Sequence, residues 1–158
     1  QESKTGESYW ESAYDIIDIN DGTYGIAGRR RHERRKPTNA WYIRMDESGN
    51  IISQWHEPDY VNSSGRNDAL YNLALMPDSE TVVALGYKDD GSGSSQYLWA
   101  LNAKTSEEIW HTSYNEPGRG YSLGMSDAHD GGIVFFGKKE TGRLKIFKTD
   151  ENGMVASE

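Results

Sequence analysis

The chain has 158 residues, a net charge of −8, 35% apolar and 11% aromatic residues, 17 glycines and no cysteine. Lack of Cys excludes disulfides, thiolate metal sites and a Cys nucleophile, and the acidic balance excludes general nucleic-acid binding, which relies on cations at the phosphates. The length suits a single domain over 1–158, and the Gly-, Tyr- and Trp-rich composition suits an all-β fold.

In chain order, three units of about 50 residues are predicted, over 9–60, 61–117 and 118–158, each with four short strands. The first unit has strands over 13–19, 23–28, 41–46 and 51–55; the second over 69–75, 81–86, 97–102 and 108–111; the third over 121–125, 132–137, 145–150 and 154–156. The first turn of each unit is short and acidic: Asn20-Asp21-Gly22, Pro77-Asp78-Ser79-Glu80 and His129-Asp130-Gly131. Asp-Gly is the strongest short hairpin signal. Each second strand closes on a glycine, Gly28, Gly86 or Gly137. A glycine there permits a positive φ or a close backbone approach, as a bend out of the sheet requires. No window repeats apolar residues with helical period, and none approaches the roughly 20 apolar residues of a membrane span, so no span is expected.

The segment Leu98-Trp99-Ala100-Leu101-Asn102-Ala103-Lys104-Thr105-Ser106-Glu107-Glu108-Ile109-Trp110 resembles the repeat of quinoprotein-dehydrogenase-type β-propellers. That repeat reads Ala-Leu-Asp-Ala-x-Thr-Gly, followed by a Trp that docks one blade against the next. Asn102 stands for the usual Asp and Ser106 for the usual Gly. The first and third units are similar to a looser pattern of bacterial secreted propellers: Asp-Gly-Gly, an apolar run and Gly, then Trp-apolar-x-Lys-x-Asp-x-x-Gly-Asn. The resemblance covers nearly all of the chain and implies three four-stranded antiparallel propeller-type blades. Three blades are fewer than the four to eight of a closed ring. The expectation is therefore a partial propeller, half of a dimeric six-bladed ring, or a unit docked on a partner. A β-trefoil is the rival with the same number of units; four strands per unit with two short turns at one end fit blades better. Quinone chemistry in the dehydrogenase relatives uses a Cys pair and a calcium-binding acid set on a larger ring, so no cofactor and no metal are expected here.

The two longer connections of each unit lie at the end opposite the short turns, and they differ between units. Variable loops on a regular scaffold are where binding resides. The most distinctive segment contains Arg29, Arg30, Arg31, Arg34, Arg35 and Lys36, six cations within eight residues. One reading is a patch that recognises phosphate, sulfated glycan, nucleic acid or an acidic protein. The other is a solvated loop whose arginines pair with Asp59, Asp89 and Asp90, because exposed pairs contribute little. Tyr60 and Tyr114 fall in the connections, either as a sugar-stacking surface or as packed loop residues. Trp41, Trp55, Trp99 and Trp110 fall where they fill the space between blades. Tyr9 and Trp10 precede the first strand, in an exposed loop or capping an open edge.

No residue is assigned a catalytic role. His32, His56, His111 and His129 are not spaced for a metal; His56 and His111 both follow a Trp at the same place in the repeat, a structural pattern. Asp89-Asp90-Gly91-Ser92-Gly93 lacks the alternating acids and terminal Glu of a calcium loop. Asp46 and Asp150 lack the Asp-x-Gly spacing of a sialidase box. The expected function is a non-enzymatic scaffold that binds a protein or an anionic glycan through its long-loop end, with self-association to close the ring. Gln1 in place of an initiator Met predicts a processed start, hence a secreted or periplasmic protein whose signal peptide is gone. The alternatives are a glycan-active hydrolase or lyase with loop acids at the ring centre, and a purely structural self-assembling fragment.

Overall fold

The computed structural model describes residues 10–31, 38–57, 67–89, 94–114, 121–128, 130–138 and 144–155. Among them the chain is all-β, with eleven strands in three antiparallel sheets. Sheet one contains β1 (Trp10–Asp18), β2 (Thr23–Arg31), β3 (Asn39–Asp46) and β4 (Ile51–His56). Sheet two contains β5 (Ala69–Leu75), β6 (Thr81–Asp89), β7 (Ser94–Asn102) and β8 (Glu108–Tyr114). Sheet three contains β9 (Tyr121–Asp127), β10 (Ile133–Lys138) and β11 (Leu144–Lys148). Every strand pairs with its neighbour in sequence. Among the described residues no helix is long and apolar enough to cross a membrane.

Strand alternation builds the core. In sheet two, Val82, Ala84, Trp99 and Leu101 turn one way and pack with Ala27, Ala40 and Tyr42 of sheet one. Their neighbours Val83, Leu85, Leu98 and Ala100 turn the other way and pack with Ile133 and Phe135 of sheet three. Sheet two is thus buried on both faces, and β5 touches both β1 and β9. Two of the expected tryptophans tie neighbouring sheets together. Trp55 of β4 lies 5.9 Å from Trp99 of β7, and Trp110 of β8 packs at Gly153 beyond β11.

The third sheet corrects the sequence expectation of four strands. In place of the predicted last strand, 154–156, the described residues show one bridge, between Thr149 and Val155, and residue 156 lies outside them. Met154 and Val155 are exposed, so among the described residues nothing here plays the part that the partly buried Trp55 and Trp110 play against a neighbouring sheet.

A second correction concerns the repeated glycines, which do not end their strands. β2 runs on to Arg31, β6 to Asp89 and β10 to Lys138, so strand replaces part of the loops expected at 29–40 and 87–96. β5 lies between β1 and β9, and these three first strands form the inner row of the stack; opposite each glycine one of them carries a bulge. Ala13 pairs with Gly28 and Asp15 with Ala27, leaving Tyr14 over; Leu70 pairs with Gly86 and Asn72 with Leu85, leaving Tyr71 over. Ser122 pairs with Gly137 and Gly124 with Phe136, leaving Leu123 over. A bulge inserts one unpaired residue, bends its strand and increases the local twist. At Gly28 and Gly86 the carbonyls of Ser12 and Ala69 occupy the place a Cβ would take. Close approach, not a positive φ, is therefore what requires glycine at both positions.

Gly86→Ala should lower stability by about 3 kcal/mol, at the top of the range for overpacking, a fall in Tm of roughly 10 °C. Gly28→Ala should behave alike. Thermal melts measure both, and a loss below about 1 kcal/mol at either site would show that the bulge relaxes around a methyl group.

Candidate functional site

The two ends of the sheets differ in chemistry. At the short-turn end, the polar groups satisfy one another. Asp46 Oδ1 accepts from Asn50 N at 2.8 Å, Asn102 Oδ1 from Lys104 N and Thr105 N, and Asp150 Oδ1 from Asn152 N and Met154 N. Asn102 thus caps its turn as Asp46 and Asp150 cap theirs. Ser106 stands in left-handed backbone at φ 64, where glycine is usual, and its Oγ lies 2.6 Å from Ser53 Oγ of sheet one. Arg44 adds a further tie. It donates to Asp21 Oδ2 at 2.6 Å, to Thr23 Oγ1 and, across the junction, to the Lys104 carbonyl. This end fastens sheets together.

The long-loop end is where unlike side chains converge. β2 carries Arg29 towards sheet two, and its guanidinium lies 5.6 Å from the ring centre of Tyr14. Tyr14 is the extra residue of the β1 bulge and lies 4.8 Å from Tyr71, the extra residue of the β5 bulge. Tyr71 stacks at 5.6 Å and 20° on Tyr87 of β6. Burial raises the pKa of both the Tyr71 and the Tyr87 hydroxyls. The result is a continuous ladder, Arg29–Tyr14–Tyr71–Tyr87, that crosses from sheet one to sheet two along the inner strands.

Beside it lies a charged cluster that also spans the junction. Lys88 of β6 forms an ion pair with Glu57, which follows β4; both are largely buried. Burial pulls the Lys88 ammonium down, but the Glu57 bond and charge outweigh it and leave its pKa raised. Asp68, just before β5, is 7% exposed, and its Oδ1 accepts from Asp89 N at 2.8 Å. Burial, reinforced by the Glu57 charge, lifts its carboxyl to about 6, against the pull of the Asp89 amide and Lys88. Asp68 N in turn donates to the Thr38 carbonyl at 2.7 Å, which fixes the carboxyl on the backbone ahead of β3.

The expected cation patch is thus partly resolved. Arg29, Arg30 and Arg31 are half-buried strand residues rather than loop residues. Alternation sends Arg30 to the opposite face from Arg29 and Arg31, and Arg30 pairs at 3.1 Å with Glu11 on β1. Arg34, Arg35, Lys36 and Tyr60 lie outside the described residues, as do Tyr9, His32, Asp59, Asp90 and His129. Tyr114 is no surface residue: it ends β8, is 8% exposed, donates its hydroxyl to the Gly153 carbonyl and packs 4.9 Å from Phe135. His56 Nδ1 donates to the adjacent Glu57 carbonyl, and His111 bonds Glu108 and lies 6.2 Å from the Tyr97 ring of β7. Among the described residues no three His, Asp or Glu side chains are grouped to hold a metal.

Tyr14, Tyr71, Tyr87, Glu57, Asp68 and Lys88 escape a reading based on loops and charge runs. A weak signal for two of them does exist: Tyr14 and Tyr71 both fall near the start of the first predicted strand of their units, one residue after the partners of Gly28 and Gly86. No protein family matches the chain, and no curated protein matches it either.

Because Asp68 is raised to about 6 from an ordinary value near 4, ionising it costs stability above pH 6 and nothing below pH 4. Asp68→Asn keeps an oxygen for Asp89 N and removes the charge. The variant should be more stable than the parent by about 2 kcal/mol at pH 8, with the gap closing as pH falls through 6 to 4. Melts at pH 8 and pH 4 test this; an equal gap at both would assign the effect to packing instead.

Proposed function

We propose that this chain is a non-enzymatic recognition module of the β-propeller type, resembling bacterial secreted or periplasmic propellers, whose long-loop end binds an anionic glycan. The blade reading draws support from three sheets with consecutive strand order, packed face to face, with inner strands β1, β5 and β9 side by side. The observation that carries the functional reading is the Arg29–Tyr14–Tyr71–Tyr87 ladder. Aromatic faces offer stacking area to sugar rings, and the planar guanidinium is a fork of donors that matches a sulfate or carboxylate. Arg30 and Arg31 extend the cationic field at the same end, against a chain that is acidic elsewhere. The short-turn end, with its polar groups bonded to one another, supplies rigidity.

A second reading, a glycan-active enzyme, is favoured by one observation. A buried carboxyl raised to about 6 beside a second acid, Glu57, matches the environment used for general acid catalysis.

Retention on heparin resin separates these outcomes. The combined Arg29→Ser, Arg30→Ser and Arg31→Ser variant should elute at lower salt and bind at least about tenfold more weakly, since a charge-assisted hydrogen bond contributes about 1.5–3 kcal/mol. Arg34→Ser, Arg35→Ser and Lys36→Ser together should weaken retention further, and Tyr71→Ala should weaken glycan binding with the net charge unchanged. Retention that ignores all of them would sink the binding reading. Release of reducing ends from an acidic glycan, lost in Asp68→Asn, would instead establish the enzyme.

A further inference from the structure

The three sheets are stacked head to tail, and this leaves two complementary faces open. At the first junction, sheet one contributes Ala27 and Tyr42, and sheet two contributes Leu73, Val82, Ala84 and Trp99. At the second junction, sheet two contributes Val83, Leu85 and Leu98, and sheet three contributes Ile133, Phe135 and Phe147. Aligning the units by their bulge-facing glycines shows that the same repeat positions are used each time. Val83, Leu85 and Leu98 of sheet two correspond to Gly25, Ala27 and Tyr42 of sheet one, and Val82, Ala84 and Trp99 correspond to Ile133, Phe135 and Phe147 of sheet three. Each junction therefore joins a leading face of one sheet to a trailing face of the next.

One trailing face and one leading face remain. On sheet one the trailing positions are Ile16, Tyr24, Ile26, Ile43 and Met45. Ile43 is buried there, Ile16 is 58% exposed, and Tyr24, Ile26 and Met45 are half-buried. On sheet three the leading positions are Val134, Phe136 and Ile146; Phe136 lies over Gly124 at 38% exposure and its cross-strand partner Ile146 is 66% exposed. Their counterparts in sheet two, Leu85 and Leu98, are fully buried. Exposed contiguous apolar side chains on a flat sheet mark an interaction surface.

We propose that a second copy of this chain covers both faces, with Phe136 and Ile146 of each copy seated against Ile16 and Ile26 of the other. The contact is heterologous, because the two surfaces differ, and two such contacts related by a two-fold axis close a ring. Two copies supply six sheets, inside the four to eight that close as a propeller. The contact itself follows from the repeat positions, and only the closure draws on the propeller reading.

Light scattering of the purified chain tests both. The expected mass is twice the 17.8 kDa of one chain. Ile146→Glu alone and Ile16→Glu alone should each return the mass of one chain while keeping a cooperative melt. Mixing the two variants should raise the mass again, because one of the two junctions is then free of substitutions. A parent of single-chain mass overturns the proposal, and so does dissociation by Ile146→Glu but not by Ile16→Glu, which would mean that like faces pair. A ladder of masses without a closed pair overturns the ring. Heparin retention does not depend on any of these outcomes, so failure here leaves the glycan reading standing or falling on its own test.

Discussion

Sheet two is apolar on both faces, and the rest of the molecule is arranged around that constraint. A strand with large side chains on both sides has no surface to give to water, so it must sit between two other layers. Val82 and Ala84 require a neighbour on one side, Val83 and Leu85 on the other. Sheets one and three meet that requirement with one face each, which explains why theirs are the faces left uncovered. Tyr42 shows how tightly the first junction closes. Its ring is fully buried against Gly25, and burial pushes its hydroxyl up to about 12.

The bulges give this stack its second property, a difference between its two ends. Each bulge shifts the inner strand by one residue, so that a side chain otherwise committed to one face projects at the junction. On β1 and β5 those side chains are Tyr14 and Tyr71, which meet. The same shift delivers Asp15 to the next sheet, where its Oδ2 accepts from Leu73 N at 2.7 Å. A hydrogen bond from a backbone N–H to a carboxylate is stronger than one to a neutral oxygen, and this one locks the inner strands in register. The aromatic ladder is therefore rigidly placed by the same feature that requires Gly28 and Gly86.

Much of the strand layout was legible in the sequence, and particular residues show why. The short continuous apolar runs from Val82 to Leu85 and from Leu98 to Leu101, bounded by polar turns, identify strands buried on both faces. Asn102 and Ser106 are legible as turn residues because their role is local, satisfied within four or five residues. Reading Gly28 and Gly86 as strand ends fails, because what crowds them is a carbonyl on another strand, and sequence spacing does not show a bulge. Tyr114 looks like a loop residue by position, but a buried acceptor at Gly153, far along the chain, draws it inside. The cluster of Glu57, Asp68 and Lys88 has no spacing to betray it, since its members come from two sheets.

By itself, then, the sequence determined what short-range chemistry controls: an all-β chain, three repeated units, short acidic turns and side chains that alternate along each strand. Tertiary structure decided which alternating face met which, where the inner strands bulged, and how Arg29 came to lie over Tyr14. The division has a physical cause. Turn capping and strand alternation are fixed by residues a few positions apart, whereas burial, the raised carboxyl of Asp68 and the tyrosine ladder depend on groups from separate sheets brought into one low-dielectric junction.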